Sequence, residues 1–82
     1  MPDVGADELI DRTRARATLD AILAAMALEV RAVFVLYEME RATMAEIAAL
    51  LDLPAGTVAS RLRRGREQFQ AAVRRLEARG GR

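Results

Sequence analysis

The chain has no cysteine, no histidine, no tryptophan and no lysine among its 82 residues. Without cysteine there is no disulfide and no thiol chemistry. Without either cysteine or histidine the usual transition-metal ligands are missing. The commonest general base near neutral pH is missing too. No glycine-rich phosphate loop and no convergent acid pair occurs at a useful spacing, so an enzyme is not expected. No metal and no cofactor is implied. Aromatic residues are only 4% of the chain, too few for a platform on which single-stranded bases stack. Phe34, Tyr37 and Phe69 are expected in the core instead. The longest apolar runs, such as Ala32–Tyr37, fall far short of the roughly 20 residues that a membrane span requires. The opening MPDVGADE is acidic, unlike a signal or transit peptide. A reducing cytoplasm suits a chain without cysteine and is the expected location.

What is present is small, apolar and split by charge. A chain of this length makes one domain with little room for a cleft. Hydrophobic residues reach 52%, which argues for a packed globule over disorder. Residues 1–53 hold five arginines against ten acids, a net of −5, whereas residues 54–82 hold eight arginines against two acids, a net of +6. One face for an anionic polymer and another for a different partner would produce that split. All thirteen basic residues are arginine, a usage that a GC-rich genome also explains. Arginine is nonetheless the better residue for forked contacts to phosphate and guanine.

The periodicity predicts four helices and no strand. The first covers about Asp7–Met26, with Leu19, Ile22, Leu23 and Met26 at helical spacing and a charged, looser first half. The second covers about Glu29–Glu40 and is apolar nearly all round. Val30, Val33, Phe34 and Tyr37 form one face of it. Val35 and Leu36 point elsewhere, and the pattern leaves them open between core and partner surface. Thr43 begins the third helix with Glu46 three residues on, the spacing of a capping box. Ile47, Leu50 and Leu51 are expected to face inward. Asp52-Leu53-Pro54 ends that helix. The fourth helix runs from Ala55–Gly56 to about Arg79, with Val58, Leu62, Gly65, Phe69, Ala72, Val73 and Leu76 on one stripe. Frayed ends are expected at 1–5 and 80–82, leaving a domain at 6–79.

The stretch 43–66 therefore reads as a helix-turn-helix, whose second helix enters the DNA major groove. Thr57 sits in the first turn of that helix, where its hydroxyl and free N–H groups can hold a phosphate. Arg63 and Arg64 face outward, and either can fork onto the O6 and N7 of guanine. Ser60 is short enough to approach a base or a phosphate. Arg61 and Arg66 flank that face and suit the phosphates on each side. An arginine run beside an apolar stripe can also be a plain solvated face. The capped helix and proline turn at the correct distance upstream argue against that here.

The motifs R-x-V-F-V-L-Y at Arg31–Tyr37, T-x-x-E-I-A at Thr43–Ala48 and L-P-x-G-T-V-x-S-R-L-x-R-x-R at Leu53–Arg66 together resemble region 4 of bacterial RNA-polymerase sigma factors of the extracytoplasmic-function (ECF) type. They cover about half the chain. The resemblance implies an all-α, four-helix domain with a C-terminal helix-turn-helix and no wing. It implies binding to the minus-35 promoter element of double-stranded DNA. It further implies docking on the flap of the polymerase β subunit and masking by an anti-sigma factor. Carried over, the DNA-binding positions are Thr57, Ala59, Ser60, Arg61, Arg63, Arg64 and Arg66. The docking surface would involve some of Leu19, Ile22, Leu23, Val35 and Leu36. Ala59 stands where many relatives have a basic residue, and Asp52 where a glycine is common. Nothing resembles the region 2 that such factors also carry, and segment 6–26 looks like the linker before region 4. An excised domain is favoured over a stand-alone protein, and a monomer is expected. A protein-interaction module with little DNA binding, and a helix-turn-helix repressor that pairs through Phe69, Val73 and Leu76, are the competing readings.

Overall fold

The computed structural model describes residues 5–80. Four α-helices follow in order: α1 (Ala6–Ala24), α2 (Leu28–Phe34), α3 (Met44–Leu51) and α4 (Ala55–Gly80). Between α2 and α3 the chain continues as a π-helical stretch, Val35–Met39. No strand occurs among the described residues. The all-α architecture with a C-terminal helix-turn-helix agrees with the sequence reading. Of the ends expected to fray, 1–4 and 81–82 lie outside the described residues. Gly5 precedes the first turn of α1 in extended conformation, and Gly80 is the last residue of α4.

Asp7 and Glu8 in the first turn of α1 complement the positive end of the helix dipole. From Ala6 to Thr18 every residue of α1 is exposed. The helix meets the core only from Leu19 onward, and it ends at Ala24, two residues earlier than expected. Met26 reaches the core from the connecting turn instead. Arg31 secures that turn. Its Nη2 donates to the carbonyl oxygens of Ala24 at 3.3 Å and Met26 at 3.1 Å. A guanidinium is thus placed at the negative end of α1, where orphan carbonyls need donors.

The second helix does not continue as an α-helix to Glu40. After Phe34 its hydrogen bonds lengthen by a residue, as in Glu40 N–H to the Val35 carbonyl at 3.0 Å. The wider turn brings Val35, Leu36 and Tyr37 all into half-buried positions against the core. That answers the apolar excess of this segment. Arg41 then turns the chain with φ of 63°, in the left-handed region.

The capping box on α3 forms as the spacing requires. The Glu46 N–H donates to Thr43 Oγ1 at 3.1 Å, and the Thr43 N–H donates to Glu46 Oε1 at 2.8 Å. Ile47 is fully buried, with Met44, Ala48 and Leu51 half-buried beside it. Leu50 is not inward as expected; it is 68% exposed. It lies about a third of a turn round the helix from the middle of that stripe, too far to share it. Asp52 closes α3 in the left-handed conformation, φ 56°. The Leu53 N–H reaches back to the Ala48 carbonyl at 2.9 Å, which is a Schellman closure without glycine.

The core is Leu23, Met26, Val30, Val33, Phe34, Ile47, Val58 and Leu62. Phe69 stacks on Phe34 with ring centroids 5.5 Å apart. Beyond Phe69 the stripe on α4 is less covered: Ala72 and Val73 are half-buried, and Leu76 is 39% exposed. The radius of gyration, 15.6 Å, exceeds the about 12 Å of a compact chain of this length, because the start of α1 and the end of α4 project from the core.

Candidate nucleic-acid interface

Pro54 both ends the turn and starts α4. Its carbonyl accepts the N–H groups of Thr57 at 3.0 Å and Val58 at 3.2 Å. Val58, Leu62 and Gly65 then lock one face of α4 onto α2 and α3. At about 100° per residue this leaves Ser60 outermost, Arg63 and Arg64 to either side of it, and Arg61 and Arg66 on opposite flanks.

Thr57, Ser60, Arg61 and Arg64 line one polar recess of about 350 Å³ at the start of α4. Gly56 and Val30 complete its walls, and Glu29, from the first turn of α2, faces into the same space. Ser60, Arg63 and Arg64 are exposed, and so is Ala59; Thr57 and Arg61 are half-buried. Two guanidiniums, two hydroxyls and the open end of a helix suit an anionic oxygen. Arg63 lies outside the recess on the neighbouring surface.

Arg66 is placed differently from its neighbours. Its Nε donates to the Glu38 carboxylate, and its guanidinium lies over the Tyr37 ring, 5.3 Å from the centroid. The bond to Glu38 raises the Arg66 pKa above its ordinary value; partial desolvation opposes the rise, and Tyr37 adds to it. Among the described residues the ion pairs are this one and the exposed Arg16–Asp20 pair within α1. Arg61, Arg63 and Arg64 therefore carry their charge unpaired.

The five residues from which a docking surface was expected have different surroundings. Leu23 is buried in the core, at 9% exposure, which removes it from any docking face. Val35 and Leu36 are half-buried against the core. Leu19 lines a recess with Phe34, Met39 and Phe69, beneath the Glu38–Arg66 pair. Ile22 lines a separate groove of about 490 Å³ between α1 and α4. Sequence reasoning missed Glu38, Glu29 and the capping role of Arg31. No local pattern marks Glu38 and Arg66, which stand 28 positions apart. Among the described residues no cluster of acids could hold a metal ion, and no helix is long and apolar enough to cross a membrane.

A short capped helix, a left-handed turn and a second helix that is apolar beneath and arginine-bearing above define the helix-turn-helix class of DNA-binding domains. Residues 16–69 match the family model for sigma-70, region 4, and the chain belongs to that family of transcription-initiation domains. The matched stretch takes in the core and the whole recess and leaves out the exposed start of α1. No match was found among the curated proteins.

Proposed function

We propose that this domain recognises the minus-35 promoter element through the first turns of α4 and docks on the β flap of RNA polymerase, as region 4 of an ECF-type sigma factor working in the cytoplasm. The observation that carries this reading is the gathering of Thr57, Ser60, Arg61 and Arg64 into one recess at the start of α4, with Arg63 beside it. In this arrangement Arg63 and Arg64 meet base edges, while Thr57 and Arg61 hold the backbone. Ala59 offers a methyl group to a thymine methyl. Arg66 contributes at most at the margin, because Glu38 already occupies it. Four to six phosphate contacts give weak binding and a log–log salt slope of about −4 to −5. Tethering to polymerase raises the effective concentration at the promoter.

The test is fluorescence anisotropy against a duplex with a GGAAC-like element and a scrambled control across a salt series. Salt-sensitive binding that prefers the element and is lost in Arg63→Ala/Arg64→Ala is the expected result. Absence of binding even at low salt would sink the reading for the free domain. One observation favours protein docking as a second, compatible role. Leu9, Ile10, Leu28 and Leu50 are each about half or more exposed, and none of them lines the recess. Polymerase or an anti-sigma factor is the partner such surfaces would serve, and Arg63→Ala/Arg64→Ala should leave that binding intact. A repressor reading would need a dimer in solution, whereas a monomer is expected here.

A further inference from the structure

The two ends of the α2 segment lie on opposite flanks of α4, and each presents a carboxylate there. At the near end Glu29 shares the recess of Arg61 and Arg64. At the far end Glu38 holds Arg66 in an ion pair. The arginines that flank the outer face, Arg61 and Arg66, are those best placed for phosphate rather than base contacts. Each has an acid nearby: Glu38, from the π-helical stretch, pairs with Arg66, and Glu29, from α2, shares the recess with Arg61 and also with Arg64. Arg63, on the outer face itself, meets none.

We infer that Glu29 and Glu38 are affinity-setting residues that hold down sequence-independent attraction for duplex DNA, by discounting the flanking arginines while leaving outward Arg63 free. This rests on the reading of α4 as the DNA-binding helix. Specificity is a difference between two affinities, so weakening the common phosphate component lowers affinity for every duplex and leaves that difference unchanged. The Glu38–Arg66 pair is neutral as a unit, so it adds nothing to the attraction of the polyanion. Glu29 is exposed and unpaired, and its charge repels the phosphate that Arg61 and Arg64 attract.

The experiment compares the wild-type domain with Glu29→Gln, Glu38→Gln and the double variant. Anisotropy is measured on element-bearing and scrambled duplexes from low to physiological salt. Glutamine keeps the shape and removes the charge. In the double variant, binding to the scrambled duplex should tighten by roughly three- to tenfold at about 0.1 M salt, with a slope steeper by about 1 for Arg66, the arginine released from its ion pair to phosphate. The preference for the element should stay as it is, because the gain is common to both duplexes. Glu67, on the outer face, is left in place in every variant. If the wild type binds and the variants match it in affinity and slope, the inference is overturned and the DNA-binding reading stands. If neither wild type nor variants bind at low salt, both fail. Should loss of the Glu38 pair unfold the double variant, Glu29→Gln carries the test alone, since Glu29 takes part in no hydrogen bond or ion pair that holds the fold.

Discussion

At Gly65 the backbone of α4 lies close against Phe34 of α2. A Cβ at that position would stand 3.0 Å from the Phe34 ring and 3.1 Å from the Phe34 Cβ. Phe34 is itself pinned by Phe69, so it has little room to yield. Overpacking of this kind costs about 1–3 kcal/mol. The gain from replacing a helical glycine with alanine is only about 0.5–1 kcal/mol. Gly65→Ala should therefore lose about 1 kcal/mol net, read as a lower urea midpoint with an unchanged m-value. Arg31 makes a second residue-scale prediction. Its guanidinium caps the end of α1, and its Nε is buried without a hydrogen-bond partner. Removing charged hydrogen bonds to otherwise orphan carbonyls costs about 1.5–3 kcal/mol, so Arg31→Ala should destabilise the domain by that order in the same assay. DNA binding by whatever fraction remains folded should be unchanged, which separates this arginine from those of the recess.

At the scale of the element, α3 is an eight-residue helix that depends on its ends. Isolated helices of that length are not stable in water. The capping box holds one end, and a left-handed aspartate holds the other. Thr43→Ala should cost about 0.5–2 kcal/mol. Combined with Glu46→Ala it should cost less than the two single losses added together, because the bonds are reciprocal; a double-mutant cycle in urea unfolding reads this out. The box was legible in the sequence because Thr43 and Glu46 stand at a fixed local spacing. The inner stripe of α4 was legible because Val58, Leu62 and Gly65 recur with the helix period. Leu50 was misplaced because periodicity ranks residues on a helix without fixing the direction of the core, which α2 and α4 set here. The π-helical stretch was illegible for a related reason. Val35, Leu36 and Tyr37 are each apolar enough to be buried, and only packing decides that the helix widens to place all three. Glu29 and Glu38 were not legible beside the arginines because α2, its π-helical continuation and α4 are brought together by the fold and not by sequence.

For the whole molecule, charge is carried by arginine, aspartate and glutamate alone, apart from the single tyrosine and the chain ends. No side chain is of the type that ordinarily titrates near neutrality. The Arg66 pKa is raised in the folded state. Its contribution to stability is thus complete below the unfolded value and is lost only as pH rises through the higher folded one, far above neutrality. DNA affinity and urea midpoint should both be flat between about pH 6 and 7, where a histidine-bearing domain would drift. A Kd that changes several-fold over that interval would place a titrating group at the interface.

The exposed start of α1 has a consequence in exchange kinetics. From Ala6 to Thr18 the backbone is helical, yet no side chain of that stretch is even half-buried. A bare segment of that length opens and closes without disturbing anything else. In deuterated water its amides should therefore exchange orders of magnitude faster than those of Val30–Phe34, whose opening requires the core to part. Anything that comes to lie along this segment would slow its deuterium uptake and leave the rest of the map as it was. The first three turns of the protein thus act as a built-in gauge of occupancy, read in mass units.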